Sequence, residues 1–380
     1  MHIALVILHA DPSRGGAERY TLDLAAGLAD RGHRVTLIAS SFADGIDPRV
    51  EQIPIAATGP TRLRRYLRFL DGVDAQIAAG GYDRVHAMLP VRRCDLYHPH
   101  AGLAAEVLHS GHRKRVSSLA QAGAWVGNRL NRKRRTFASI ERRLLESDRP
   151  PVVLCLSQYV QRSVQRHYPH LPADRLATLF NGIDIGRFDP DRDPGARSAV
   201  RQRLGIAEDA VVALFVGHDY ARKGLPETLQ AVARIQDPRL RLLVVGPPLT
   251  SLQQRAIARM GLVDRVIAPG PQQDTYPFYR AADLFILPTR HDPCSLVVLE
   301  ALAMGLPVIS TRFNGATEIM TPSHGFVLEA PDDIAILAGS IRALLDPDLR
   351  QAMSRAALAL RPQLSQAHHL DTLEAIYQRV

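Results

Sequence analysis

The chain has 380 residues, 46% of them hydrophobic and 22% charged, which is too long for one ordinary core and suits a soluble protein of two domains. No run reaches the roughly 18 uncharged apolar residues of a membrane helix, Met1–Leu8 is too short for a signal peptide, and Cys94, Cys155 and Cys294 lack metal or disulfide spacing, so a reducing, cytoplasmic setting is expected. The formal charge of +9 is uneven: residues 1–170 hold 25 Lys+Arg against 15 Asp+Glu, the remainder 22 against 23.

The first forty residues set a βαβ rhythm: a short apolar strand at Ile3–Leu8, helical spacing from Ala17 to Arg31 with Gly32 as its stop, and a second strand at Val35–Ala39. Between strand and helix lies Ser13-Arg-Gly-Gly-Ala-Glu18, a Gly15-Gly16 pair that reads as a tight turn at a helix start. It is not Gly-x-Gly-x-x-Gly, so no nicotinamide fingerprint is present.

Basic residues concentrate in Arg62–Arg68, His112–Arg115 and Asn131–Arg135, the last continuing to Arg142-Arg143. Their reading is a solvated face, or attraction to an anionic surface such as membrane headgroups or a phosphorylated lipid-linked acceptor. Nucleic acid is not expected, because no aromatic interleaving accompanies the charge. Asp83-Arg-Val-His86 ends a strand. Asp95-Leu-Tyr-His98-Pro-His100-Ala-Gly102 follows, with two imidazoles able to hold a ligand hydroxyl and no further ligands for zinc. Ser157-Gln-Tyr closes another strand.

A second βα series begins near Ala210. Strand Val211–Val216 leads to Gly217-His-Asp-Tyr-Ala-Arg222-Lys223-Gly224 and a helix to about Ile235; Leu240–Val245, Arg265–Ala268, Asp283–Leu287 and Val308–Ser310 are the later strands. Lys223 is one of three lysines against 44 arginines, and after a strand it suits a cation aimed at a diphosphate. Two such series imply two facing doubly wound domains with ligands at the C-terminal ends of the strands, in the cleft between them. The domains expected are 1–178 with the closing helix 362–380, and 182–358.

Asp292-Pro-Cys-Ser-Leu-Val-Val-Leu-Glu300 is the most informative segment. Leu296–Met304 is apolar except for Glu300, the pattern of a helix buried on all sides, with Ser295 as N-cap and Gly305 as stop. A buried carboxylate needs a partner, so Glu300 calls for a donor or a ligand hydroxyl. Asp292 falls in the entry loop, near the positive helix end. Eight residues span about 12 Å, enough for the two acids to grip opposite ends of one ligand.

This segment resembles the Glu-x7-Glu motif of retaining GT-B glycosyltransferases of family 4, with Asp in place of the first Glu, and the overall order is similar to the lipopolysaccharide core glucosyltransferase group. The resemblance implies a GT-B fold and metal-independent transfer of a hexose from a nucleotide diphosphate sugar, with no cofactor, to a glycan or glycolipid hydroxyl, at the inner face of the cell membrane where the acceptor is membrane-linked. By the same resemblance Asp292 meets the donor sugar's hydroxyls, Glu300 the ribose diol, the amides of Cys294, Ser295 and Leu296 the sugar and diphosphate, and Arg222 with Lys223 the departing diphosphate. His98, or else His100, lies by the reacting carbon, Gly15-Gly16 faces the acceptor, and Glu318 ends a Gly-rich loop or caps a helix. A GT-B-fold epimerase or phosphorylase, or a noncatalytic glycan-binding member, are the alternatives.

Overall fold

The computed structural model describes residues 1–100, 102–106 and 131–380. Two compact units divide the chain: Met1–Phe180 with Leu370–Val380, and Asn181–His369. Each is built on one parallel sheet. No helix among the described residues is long and apolar enough to cross a membrane.

The first unit contains β1 (His2–Val6), β2 (Arg34–Ala39), β3 (Glu51–Pro54), β4 (Arg84–Ala87), β5 (Leu96–Tyr97), β6 (Val152–Cys155) and β7 (Leu176–Thr178), in the order β3-β2-β1-β4-β5-β6-β7. Every pairing is parallel. The strands are short and mostly buried, as strands covered on both faces by helices must be. Three of them, β3, β5 and β7, lie outside the expected series; at two to four residues they carry too little periodicity to be read from sequence.

Helix Gly16–Asp30 buries Tyr20, Leu24, Ala25 and Leu28 in the core of this unit. The closing helix Gln366–Tyr377 contributes Leu370, Leu373, Ile376 and Tyr377 to the same core. Gly27 permits that approach, since a β-carbon there would lie 2.8 Å from Leu370 Cδ1. Polar contacts reinforce it: Arg31 donates to Glu374 at 2.8 Å, His33 bonds the same carboxylate at 2.8 Å, and Arg84 Nε donates to the Tyr377 carbonyl at 2.7 Å.

The second unit contains β8 (Val211–Val216), β9 (Leu240–Val245), β10 (Val266–Gly270), β11 (Leu284–Leu287), β12 (Val308–Thr311) and β13 (Gly325–Leu328), ordered β10-β9-β8-β11-β12-β13 and all parallel. The expected series stopped at β12; β13 extends the sheet by one edge strand. The order in which successive strands are added reverses between β8 and β11, and such a switch point leaves a crevice beyond the strand ends where ligands bind. The loops that leave β8 and β11 carry Lys223 and Asp292.

Candidate active site

In the second unit, β8 runs into a one-turn helix, Tyr220–Lys223, whose N-cap Asp219 accepts from the Arg222 amide at 3.2 Å. Gly224 closes the turn at φ 86°, and a β-carbon there would come within 2.2 Å of the Pro288 carbonyl oxygen. Only glycine permits both the left-handed backbone and that contact. The turn is thereby held against the strand end that leads to Asp292.

Asp292 is 7% exposed. Its carboxylate pairs with Lys223 Nζ, and Arg222 approaches the same oxygen at 3.9 Å. Arg222 also donates to the His291 carbonyl at 2.8 Å, so its guanidinium is anchored beside the pair. Lys223 Nζ lies 3.5 Å from Ser295 Oγ. The Asp219 carboxylate also pairs with Arg222, at 3.3 Å, so two cations and two anions meet at the switch point. Burial strengthens each interaction and makes it costly to leave any of the charges without a partner.

The helix after this loop spans Leu296–Ala303, and Gly305 follows at φ 73°. Ser295 occupies the N-cap position, but its side chain makes no capping bond; the hydroxyl turns toward Lys223 instead. The helix is not buried on all sides. Val298, Leu299, Ala301, Leu302 and Ala303 are buried, whereas Leu296, Val297 and Glu300 are half-buried and share one open stripe. The apolar run concealed this face because leucine and valine there look like core residues.

Glu300 is met by Tyr279, whose hydroxyl donates to Oε2 at 2.7 Å and lies 3.3 Å from the Val297 carbonyl oxygen. Burial, with the Glu300 charge beside it, pushes the Tyr279 phenol well above its ordinary value, so it stays a donor. Tyr279 was not among the expected site residues. It sits in the helix Tyr276–Ala281 of the preceding βα unit, and nothing local marks a tyrosine there as a partner for an acid 21 positions on.

Asn314 was also missed, although its segment had drawn attention for Glu318. Fully buried, it accepts from the Ser295 amide and the Ala316 amide, both at 3.2 Å, and donates to Ser310 Oγ at 3.1 Å. Asp292 and Asn314 form a short parallel bridge. The cap of the 3-10 turn Gly315–Ile319 is therefore Asn314, not Glu318. One of the three expected ligand-facing amides, that of Ser295, is engaged by Asn314. Cys294 is buried; its carbonyl accepts from Asn181 at 3.2 Å, and burial pushes its thiol up to about 12, so it is unreactive at neutral pH.

In the first unit His98 follows β5 directly. It is fully buried, with Nδ1 3.3 Å from His86 Nε2, and His86 Nδ1 lies 2.7 Å from the Tyr377 hydroxyl. His100 is half-buried and packs on Tyr20 with ring centroids 4.4 Å apart. The more accessible imidazole is thus His100, and His98 links it to an internal row ending at Tyr377. Glu141, fully buried, accepts from the hydroxyls of Tyr97 (2.6 Å) and Tyr168 (2.8 Å) and from the amides of Ala104 (2.8 Å) and Ala105 (2.9 Å). It ties the segment just after the histidines to helix Arg132–Leu145.

Gly15 is the N-cap of helix Gly16–Asp30, in extended backbone, and both glycines are exposed. Ser157 caps helix Gln158–His167 by accepting from the Val160 amide at 3.3 Å. Of the basic runs, Arg62–Arg68 opens helix Arg62–Ala79 and Arg134-Arg135 lies in helix Arg132–Leu145. Tyr66 and Phe137 stack between these helices at 4.1 Å. The run His112–Arg115 lies outside the described residues, as does Ala101.

The chain matches two family models: glycosyltransferase family 4 over residues 14–187, and glycosyl transferases group 1 over residues 196–359. It is 28% identical to the D-inositol 3-phosphate glycosyltransferase of Geodermatophilus obscurus, across 99% of this chain and 88% of that protein. It is 25% identical to the lipopolysaccharide glucosyltransferase WaaG of Escherichia coli, across 94% of this chain and 91% of that one. Among solved structures, that of WaaG superposes with a TM-score of 0.77 at 24% identity over 95% of both chains. Anabaena Alr3699/HepE in complex with UDP-glucose gives 0.70 at 22% identity over the whole of both. Two Rossmann-like units of this kind make up the GT-B fold, and the family models that match them are those of glycosyltransferases. The chain belongs to the group 1, family 4 glycosyltransferases.

Proposed function

We propose that this enzyme is a retaining, metal-independent transferase that moves a hexose, glucose in the first instance, from a UDP-sugar to a sugar hydroxyl of a cell-envelope glycan of the lipopolysaccharide-core kind. The observation that carries this reading is the cluster of Arg222, Lys223 and Asp292 across the β8/β11 switch point, with Glu300 on the helix that follows. The names of two relatives support the choice of acceptor and donor: one is a lipopolysaccharide glucosyltransferase and one solved structure holds UDP-glucose.

In this reading Arg222 and Lys223 face the donor diphosphate and Asp292 a sugar hydroxyl. The amides of Cys294 and Leu296 supply further donors, and Glu300, steadied by Tyr279, accepts from the ribose diol. The bond from the sugar's anomeric carbon to the diphosphate breaks and a bond to the acceptor oxygen forms on the same face, with the acceptor proton passing to the leaving diphosphate. Negative charge grows on that group as it departs, so fixed cations there act more on the transition state than on the ground state. His98 and His100 belong to the acceptor side of the chemistry, as does the loop at Gly15-Gly16. The Arg-rich helices Arg62–Ala79 and Arg132–Leu145 serve an anionic membrane surface at the cytoplasmic face.

A panel of radiolabelled nucleotide sugars, with and without a lipopolysaccharide-core acceptor, tests the reading. Transfer with retained anomeric configuration, undiminished by EDTA, is the expected result. Release of free sugar without acceptor would point to an epimerase, and absence of binding, hydrolysis and transfer with every donor would remove the enzymatic reading. Binding to vesicles that rises with anionic lipid and falls with salt tests the membrane partner; insensitivity to both would leave the arginines a solvated face.

A further inference from the structure

In the second unit a cavity of about 270 Å³ lies between helix Tyr276–Ala281, the end of helix Leu296–Ala303 and the start of helix Pro347–Ala359. Its wall is polar, with Arg197, Arg280, Asp283, Arg350, Gln351 and Ser354. Gly305 lets the helices meet there: its backbone is left-handed at φ 73°, and a β-carbon on it would come within 2.9 Å of Leu358 Cγ and 3.1 Å of Ser354 Oγ.

The charges in this wall do not cancel. Asp283 is fully engaged, because its carboxylate takes Arg197 and Arg201 and the Val212 amide, each at 2.7 Å. Arg350 gives one Nη to the Leu344 carbonyl at 2.7 Å and pairs with no carboxylate among the described residues. Arg280 makes no side-chain hydrogen bond or ion pair with a described residue, and its Nε is buried without an acceptor. Two guanidinium charges therefore face one small cavity with nothing from the chain to neutralise them. A buried donor without an acceptor is costly, and so is like charge held close in a wall of low dielectric. An anion from outside relieves both. Arginine's planar fork matches phosphoryl oxygens in pairs, and a phosphomonoester, at about −1.5 to −2 near neutral pH, balances two arginines where a carboxylate balances one. The volume lies below the roughly 300–1,000 Å³ of pockets that enclose drug-sized ligands, too small for a second nucleotide sugar.

Tyr279, next to Arg280 on the same short helix, also lines the cavity. Its hydroxyl holds Glu300 at 2.7 Å, and Met304 and Gly305, in the facing wall, end the helix that carries Glu300. An anion bridging Arg280 and Arg350 steadies the turn from which Tyr279 reaches Glu300, and a contact already ordered costs less to use when a ligand arrives. We propose that this cavity binds free phosphate or a small phosphorylated molecule through Arg280 and Arg350, and that its occupancy tightens the hold of Glu300 on a nucleotide by way of Tyr279. Only the word nucleotide rests on the proposed function; the anion site rests on the charges of the cavity itself.

Titration calorimetry on the full chain, saturated with UDP so that Arg222 and Lys223 are occupied, tests the site with inorganic phosphate and with glycerol 3-phosphate. Saturable binding is expected, weakened at least tenfold in Arg280→Gln/Arg350→Gln. Gln351→Glu should weaken it as much, since it adds a carboxylate to the wall at an exposed position and removes no contact of the fold; its melting temperature should match the parent's. Equal affinity in both variants, or no saturable binding, overturns the site. Tighter binding of glycerol 3-phosphate than of phosphate identifies the occupant as a phosphomonoester, and the reverse order identifies the free ion. The coupling is read as UDP affinity with and without saturating glycerol 3-phosphate: at least threefold tighter in the parent, and not tightened in Gln351→Glu or Tyr279→Phe. Competition at Arg222 and Lys223 could only weaken UDP binding, so an unchanged or weaker affinity in the parent overturns the coupling. Failure of the donor panel would remove the transferase reading and leave the phosphate titrations standing.

Discussion

Lys223 and Asp292, 69 positions apart, form an ion pair that joins the loops leaving β8 and β11. Both are largely buried, with 12% and 10% of their side chains exposed. The pair makes each residue answerable for two properties at once, the order of the switch-point loops and the charge offered to a ligand.

Those two properties separate in a double-mutant cycle. Lys223→Met strands a buried carboxylate, and loss of one partner of a buried pair costs about 3–5 kcal/mol, so melting temperature and turnover both fall. Lys223→Met/Asp292→Asn removes both charges and is expected to recover most of the stability. Turnover remains down by about 10²- to 10³-fold, the usual effect of losing one group that stabilises a transition-state charge. Recovery of turnover along with stability would make Lys223 a structural residue.

Tyr279 orients Glu300, so Tyr279→Phe should weaken nucleotide binding with little effect on turnover at saturation. Glu300→Gln acts on the same contact and should weaken it further. Each lost charge-assisted hydrogen bond corresponds to about a tenfold rise in Kd. Titration calorimetry with UDP checks this, and equal affinity in both variants would assign Glu300 to the fold alone.

Glu141 gathers two phenols and two amides on one buried carboxylate. Glu141→Leu strands those donors and should lower stability by on the order of 3 kcal/mol. Urea unfolding followed by circular dichroism measures it. Because the residue holds the segment that follows His98 and His100, turnover of the folded fraction should fall as well.

Glu374 anchors the closing helix through Arg31 and His33. Partial burial raises its pKa, but the hydrogen bonds from His33 and Arg31 outweigh this and hold the carboxyl below its ordinary 4.5. With the folded value depressed, the stabilisation is present above about 4.5 and is lost as pH falls through the lower folded value. Glu374→Gln should therefore be less stable than the parent at pH 7 and equal to it in acid. Melting curves between pH 7 and pH 3 test the convergence; a constant gap would show that the contact is steric.

Much of the candidate site could be picked out in the sequence because it consists of polar and charged residue types at short spacing. Asp292 and Glu300 stand on one loop and helix, Arg222 and Lys223 on one turn, and His98 and His100 on one strand end. What spacing could not express is contact between distant segments. Tyr279 on Glu300, Asn314 on the Ser295 amide and Glu141 beneath the histidine loop are ordinary residues in sequence, and only packing makes them partners. The apolar run Leu296–Met304 shows the opposite error, since hydrophobicity alone cannot tell a core face from one left partly open.

By itself the sequence determined the alternation of strand and helix in both halves, the placing of charges at strand ends, and the family to which such a pattern belongs. These follow from local periodicity and from which side chains can cap, turn or carry charge. The tertiary structure decided that Lys223 is bound to Asp292 and that the face carrying Glu300 is open. It also decided that Arg280 and Arg350 face one cavity. Each is a matter of which loops the sheet order brings together, and strand order is set by long-range packing that no short window of residues contains.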